Sequence, residues 1–466
     1  MSFSRRAMLA ALAGSTSFAA AQSFLPDIPN VGFRADNVPE RTECGIGALM
    51  PWADGLYAVT YNSHKKATGT GLGLYRLDER LKPELIHLHN GTHANRYIHH
   101  QSNQCIIGPY IIDSQGNWRF IQAFEDHRLT STMRHLTDPA GRVYFLTMEG
   151  LFFEMDIATL KAQLLFDIVK EMKITQPPHF KGGYTAQSRV AVTNNGFYAY
   201  GDTNAGLFEW DGGKSWQRLS DKPHMDVAAR ENMGNVMFAT GWDESSVLFS
   251  ALVKGKWQKY RFPKASHATE QAWQTEWMRI REVETEHYMI DIQGMFYELE
   301  PLAFEDRIWG VKPVCQHLRI IPDYCAFRGL LAIGGNQTTP NADNNAVVGQ
   351  PQSGMWFGKT DDLWSWGRPQ GWGGPWRNAR VEAQVPSDPF LFTGFERKAL
   401  HLVASAPVDV EIQIDFLGDG TWVKFDRVKL SGGEYKFFPF PDSFSAHWVR
   451  LLPSASCNLT AEFMFT

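Results

Sequence analysis

Apolar positions along this chain come in short runs, and helical periodicity is scarce. Alternating or wholly apolar stretches are separated by Gly, Asn and Asp, which predicts many short β-strands. One short helix is expected over residues 158–173. Two half-patterns recur. One reads as a strand, at Gly55 to Tyr61, Arg142 to Thr147 and Gly196 to Tyr200. The other is a returning strand of the form Gly-aromatic-acid, at Gly150 to Glu154, Gly206 to Trp210 and Gly294 to Glu298. Candidate first strands begin near residues 56, 106, 143, 197, 236, 288 and 330, a mean spacing of about 46 residues, the length of a four-stranded propeller blade. These anchors predict an all-β fold, a seven-bladed β-propeller over residues 40–385 whose closed ring hides its sheet edges. Residues 386–466 alternate cleanly, as in Val408 to Asp415. They read as a β-rich C-terminal segment that either completes the ring or is appended to it.

Composition agrees with a globular chain: 466 residues, 44% hydrophobic and 20% charged. The 16 Trp fit a packed β core or a sugar-binding surface. A net charge of -5 leaves no nucleic-acid footprint, although a local basic cleft could still hold a polyanion. Residues 1–21 read as a twin-arginine signal peptide. Arg5-Arg6 precede an Ala-rich apolar stretch, and Ala19-Ala20-Ala21 offers the cleavage site. That stretch is too short to span a bilayer. The expectation is a periplasmic or secreted monomer without a membrane span. Five cysteines, an odd count, argue against a full disulfide framework.

Polar and aromatic residues concentrate in four places. The first runs from Asn90 to Gln104 and holds Asn95, Arg96, His99 and His100, with Tyr110 shortly after. The second is Arg134 to Pro139, with His135. The third is His179 to Arg189, where Gly182-Gly183 is expected to turn tightly and lift Tyr184 out of a strand, with Arg189 placed for an anion. The fourth is Thr275 to Glu282. Arg279 and Arg281 share a strand face there, either as a carboxylate clamp or paired with Glu276 and Glu282. Cys315, His317 and Cys325 suit a structural Zn²⁺, with His267 or His287 as a fourth ligand, or else are buried thiols beside a histidine. No Walker loop, dinucleotide fingerprint, nucleophile elbow or His-Glu-x-x-His motif occurs.

Several of these motifs together resemble a known group. They are Asn95 to His99, Ser102 to Gln104, Gly108 to Asp113, Arg134 to Pro139, Thr147 to Gly150, His179 to Thr185 and His317 to Cys325. The chain resembles, over roughly residues 40–460, the seven-bladed propeller polysaccharide lyases. That group includes ulvan lyases and the lyases and rhamnosidase-like enzymes that act on rhamnose linked to glucuronic acid. The resemblance implies β-elimination at a uronic acid in a polysaccharide. His135, Tyr184 and His99 would be the acid-base residues. Arg189, Tyr110, His100, Asn95, Arg96 and His64 would line the substrate pocket. Tyr184 stands where many relatives have His, which points to a different acid-base assignment or a different activity. Two other readings stay open: a glycoside hydrolase releasing rhamnose, for which Asp138 and Glu149 are the nearby acids, and a non-catalytic carbohydrate-binding propeller.

Overall fold

The computed structural model describes residues 34–36, 42–62, 68–196, 204–230, 233–267, 278–284, 287–304, 306–308, 310–339 and 354–466. Among them, antiparallel meanders follow one another along the chain. Six have four strands and a seventh has three. Their innermost strands are Thr42–Trp52, Arg96–His99, Leu129–Arg134, Phe180–Ala186, His224–Ala229, Arg279–Glu284 and Tyr324–Phe327. Each lies against the innermost strand of the next meander, and Tyr324–Phe327 lies against Thr42–Trp52. The order therefore closes on itself around a central channel, and the protein is a β-propeller. Asn336–Thr339 from the last meander also pairs with Thr42–Gly45 of the first.

The apolar runs that mark the repeat are second strands, not first ones. Gly55–Asn62 is buried at all eight positions and Met237–Trp242 at all six. A second strand is covered on both faces by neighbouring meanders, so it reads as continuous apolar sequence. The Gly-aromatic-acid segments are third strands, Leu151–Asp156, Gly206–Trp210 and Met295–Leu299, paired antiparallel to those runs. The anchor at 197 falls outside the described residues, and the second strand of that meander is Arg189–Asn194. The helix expected over 158–173 is instead the strand Ala162–Asp167 followed by one helical turn, Ile168–Glu171, capped by the Asp167 side chain.

The C-terminal strands build two further four-stranded layers. One contains Gly371–Val381, Lys398–Ala404, Tyr435–Pro439 and Cys457–Phe465. The other contains Phe390–Leu391, Val408–Asp415, Val423–Leu430 and Trp448–Pro453, and continues the fifth meander through the parallel pair Arg261 and Phe390. Alternate residues such as Leu400, Leu402, Ile412, Val449, Leu459 and Phe463 are fully buried, as the faces of a sandwich require. Its first strand begins at Gly371, ahead of residue 386.

Two imidazoles are sealed between meanders. Burial pushes His89 down to about 4, against the opposing pull of the Thr60 carbonyl. Burial likewise takes His224 down to about 4, with the Lys222 carbonyl opposing. An unfolded histidine titrates near 6.5, so between about pH 4 and 6.5 the unfolded chain binds more protons. Stability must therefore fall as pH drops through that window, by up to roughly 3 kcal/mol per histidine. Urea unfolding at the two ends of the window checks this. His224→Gln is expected to remove part of the slope, and an unchanged slope counts against it.

Candidate functional site in the central channel

The innermost strand of a propeller blade has a free edge facing the channel, and its amides and carbonyls need partners. Here side chains from neighbouring meanders supply them. Ser131 donates to the Gly183 carbonyl at 2.7 Å and Thr185 to the Arg134 carbonyl at 2.7 Å. Across the ring, carboxylates do the same work. Asp226 accepts from the Ile280 amide and Asp323 from the Leu49 amide, both at 2.8 Å.

Those carboxylates are shared with three arginines. Arg281 reaches Asp323 at 2.7 Å and Asp226 at 3.0 Å. Arg96 lies 3.3 Å from Asp323, and Arg279 lies 3.5 Å from Asp226. Glu276 is outside the described residues, and Glu282 is taken by Arg230 at 3.0 Å. The arginine partners thus come from other meanders rather than from the adjacent sequence. Burial would raise the Asp323 carboxyl, but Arg96, Arg281, Arg279 and the Leu49 amide outweigh it and hold it below the usual range. Burial lowers Arg279 to about 10 despite Asp226. Three guanidiniums face Asp226 and Asp323, and a third carboxylate, the buried Asp291, lies within electrostatic reach of Arg279. Arg96 and Arg281 keep 13% and 14% of their side-chain surface in solvent.

Tyr184 belongs to the same neighbourhood. It sits half-buried on Phe180–Ala186, packed against a cluster that includes Val227 and Ala229. Tyr288 is raised above the ordinary tyrosine range, first by burial, then by Tyr184 and Glu282, while Arg230 and Arg281 oppose. Tyr184, Glu282, Arg230 and Arg281 therefore all lie within electrostatic reach of Tyr288. The glycines act differently from expectation. Gly182 and Gly183 stay within the strand, and a Cβ on Gly182 would come 2.8 Å from the Met225 carbonyl oxygen. They permit close approach of two inner strands rather than a turn.

The other expected site residues hold the fold. His135 accepts from the Asp138 amide at Nδ1, faces Glu154 at 3.2 Å through Nε2, and stacks on Tyr144. His99 caps a short 3-10 turn through Nδ1, and its Nε2 contacts the Pro139 carbonyl at 2.8 Å. Both nitrogens of each imidazole are thus engaged in the scaffold. His100 is exposed on that 3-10 turn. Arg189 pairs with Glu209 at 2.9 Å, away from the channel cluster. Asn95 is buried and donates to the Gly108 carbonyl and to Thr132. Tyr110 lies between the first two meanders, its hydroxyl 3.1 Å from both His87 and His89. His64 lies outside the described residues. Asp138 and Glu149 flank the six-residue strand Arg142–Thr147 in the turns at its two ends. That strand spans about 20 Å, whereas a hydrolytic pair needs at most about 9.5 Å.

The zinc expectation finds no common centre. Ligand atoms of Cys315, His317 and Cys325 do not gather within 4.8 Å of one another. Cys315 and Cys325 pack in different apolar clusters, and burial pushes both thiols up to about 12. His317 is committed to Asp291 at 3.1 Å. Among the described residues, one donor group does gather: His287, Glu298 and Glu300. Lys312 already stands 2.9 Å from Glu298 there.

Asp226, Asp323, Arg230 and Tyr288 were not legible as site residues. Asp226 carries a faint signal, a carboxylate inside the fully buried strand His224–Ala229.

No protein-family model matches the chain, and no curated protein matches it. Among solved structures, the β-propeller domain of Cps50 (Swd1) from Myceliophteria thermophila is similar at 9% identity and TM-score 0.42, covering 70% of this chain and 99% of that one. RRP9 WD40 repeats give 9% identity and TM-score 0.43 over 71% and 98%. A luciferin-regenerating enzyme gives 8% identity and TM-score 0.36 over 70% and 94%. The fold assignment stands on the closed order of meanders, and these likenesses add nothing about activity.

Proposed function

We propose that the protein is a polysaccharide lyase acting at a uronic acid, with Arg96, Arg281 and Tyr184 of the inner strands as its working groups. The observation that carries this reading is that Arg96 and Arg281 keep part of their side-chain surface in solvent, while Arg281 and Tyr184 both act on Tyr288. A uronate carboxylate needs its charge neutralised before its C5 proton becomes acidic. Arg96 and Arg281 meet that need. Tyr184, as the phenolate, takes the C5 proton as the C4–O4 bond breaks and C4=C5 forms, and the resulting phenol returns that proton to the departing O4. The rhamnose–glucuronate linkage is the preferred target, on the resemblance of the motifs from Asn95 to Cys325. A twin-arginine leader, within residues that are not described, fits a polymer met outside the cytosol.

Incubation with ulvan or gum arabic tests the reading. The expected result is a growing ultraviolet absorbance from the unsaturated uronate, with no label taken up from heavy-oxygen water. Saccharide release with label uptake would mean hydrolysis, and no release from any uronic polymer would mean the proposal is wrong.

A further inference from the structure

A cleft lies outside the channel, along the outermost strand of the fifth meander, Lys256–Phe262. It consists of two hollows, one of about 440 Å³ against the C-terminal sandwich and one of about 450 Å³ between the outer strands of the fourth and fifth meanders, that share Asp221, Lys222, Asp243, Arg261 and Asp388. Each falls within the size of small-molecule sites, about 300–1,000 Å³.

The floor of the cleft is rigid. Arg261 is clamped by Asp243 at 2.8 Å, Asp388 at 3.0 Å and the Ser246 hydroxyl at 2.8 Å. Two bodies of the protein are thereby fixed at one point, and the same clamp consumes those two carboxylates. The Gly374 amide donates to the Ser245 carbonyl beside it, and a Cβ on Gly373 would come 2.6 Å from that same oxygen. Only glycine lets the first sandwich strand pass so close to the propeller. The cleft is therefore a built junction rather than a loose gap.

Its walls combine aromatic and cationic groups with the carboxylates of Asp221 and Glu244. Trp376 is half-buried, packed on the sandwich core and facing the first hollow. Trp257 and Tyr260 wall the second, and the Trp257 indole is fixed by Glu209 at 2.8 Å. Lys222 and Lys259 stand at the rim, and among the described residues Lys259 makes no ion pair. Flat aromatic faces bind the apolar side of a sugar ring, and cations bind its carboxylate. Three strand spacings, about 14 Å, separate Lys256–Phe262 from the innermost strand of its meander. One short saccharide therefore does not fill the channel and the cleft together.

We infer that this cleft is a second glycan-binding site, which holds an acidic polysaccharide by Trp376 and Lys259 while another stretch of the same polymer enters the channel. The inference rests on the glycan reading proposed above, but not on the chemistry proposed for Tyr184. Holding a polymer at two places raises its effective concentration at each.

Affinity electrophoresis through gels containing ulvan or gum arabic, with neutral dextran as the control, tests it on the full chain. Wild type and Tyr184→Phe are expected to be retarded alike by the acidic polymers and not by dextran. Trp376→Ala and Lys259→Gln should each weaken the apparent affinity about tenfold, and Trp376→Phe should recover part of the loss. Equal retardation of wild type, Trp376→Ala and Lys259→Gln would overturn the inference, as would no retardation of wild type. Should Trp376→Ala fail to fold, the exposed Lys259→Gln decides alone. Retardation that depends on Trp376, in a protein that releases no unsaturated product, would sink the lyase proposal and leave the second site standing.

Discussion

Asp323→Asn is expected to lower the stability of the protein by about 3–5 kcal/mol, the usual cost of breaking one side of a buried ion pair. The side chain is 1% exposed and serves Arg96, Arg281 and the Leu49 amide at once. Asparagine keeps a hydrogen-bond acceptor but removes the charge that Arg96 and Arg281 share, leaving Arg281 with Asp226 as its one remaining ion-pair partner in the cluster. Urea unfolding measures the loss. A change below about 1 kcal/mol would show that the charge is not what stabilises the ring. The same carboxylate sets an acid limit. Its folded pKa lies below the unfolded value of about 3.9, so its contribution is complete above that value. It disappears as pH falls through the folded pKa. Wild type should therefore lose stability steeply below about pH 4, and Asp323→Asn should lose less of it there.

Tyr184→Phe is expected to cut turnover of a uronic polymer by about 10²–10⁴-fold, the range for removal of a positioned acid-base group. The ring stays, so its packing against Val227 and Ala229 is kept. The stability cost should stay near that of one hydrogen bond, about 1 kcal/mol. The split between the two readouts is the discriminating result. Full turnover in the variant would exclude Tyr184 as the proton carrier. A matching collapse of stability would assign it a structural role.

Much of the architecture was legible because second strands are covered on both faces and leave unbroken apolar runs such as Gly55–Asn62. Inner strands left no such trace. Phe180–Ala186 carries a Gly pair for close approach, and His224–Ala229 carries a buried aspartate. The repeat was therefore visible one strand late in each meander. At the site, Arg96 and Tyr184 stood out by residue type, whereas Asp226 and Asp323 did not. The Leu49–Asp323 bond spans 274 residues and has no local signature. For His99 and His135, residue type alone does not show that each imidazole also accepts from a turn amide.

The pairing of Asn336–Thr339 with Thr42–Gly45 sets a timetable for biosynthesis. The opening strand emerges from the ribosome long before its edge partner exists. At ordinary elongation rates of about 5–20 residues per second, it waits roughly 15–60 s for it. Through that interval Thr42–Trp52 presents an unsatisfied backbone edge, the kind that recruits strands from other chains. A ring locked by its last segment also assembles slowly, since its decisive contacts join distant parts of the polymer. Release from a chaperone should therefore follow completion of the residues around 339, and truncation before them should leave an aggregation-prone open arc.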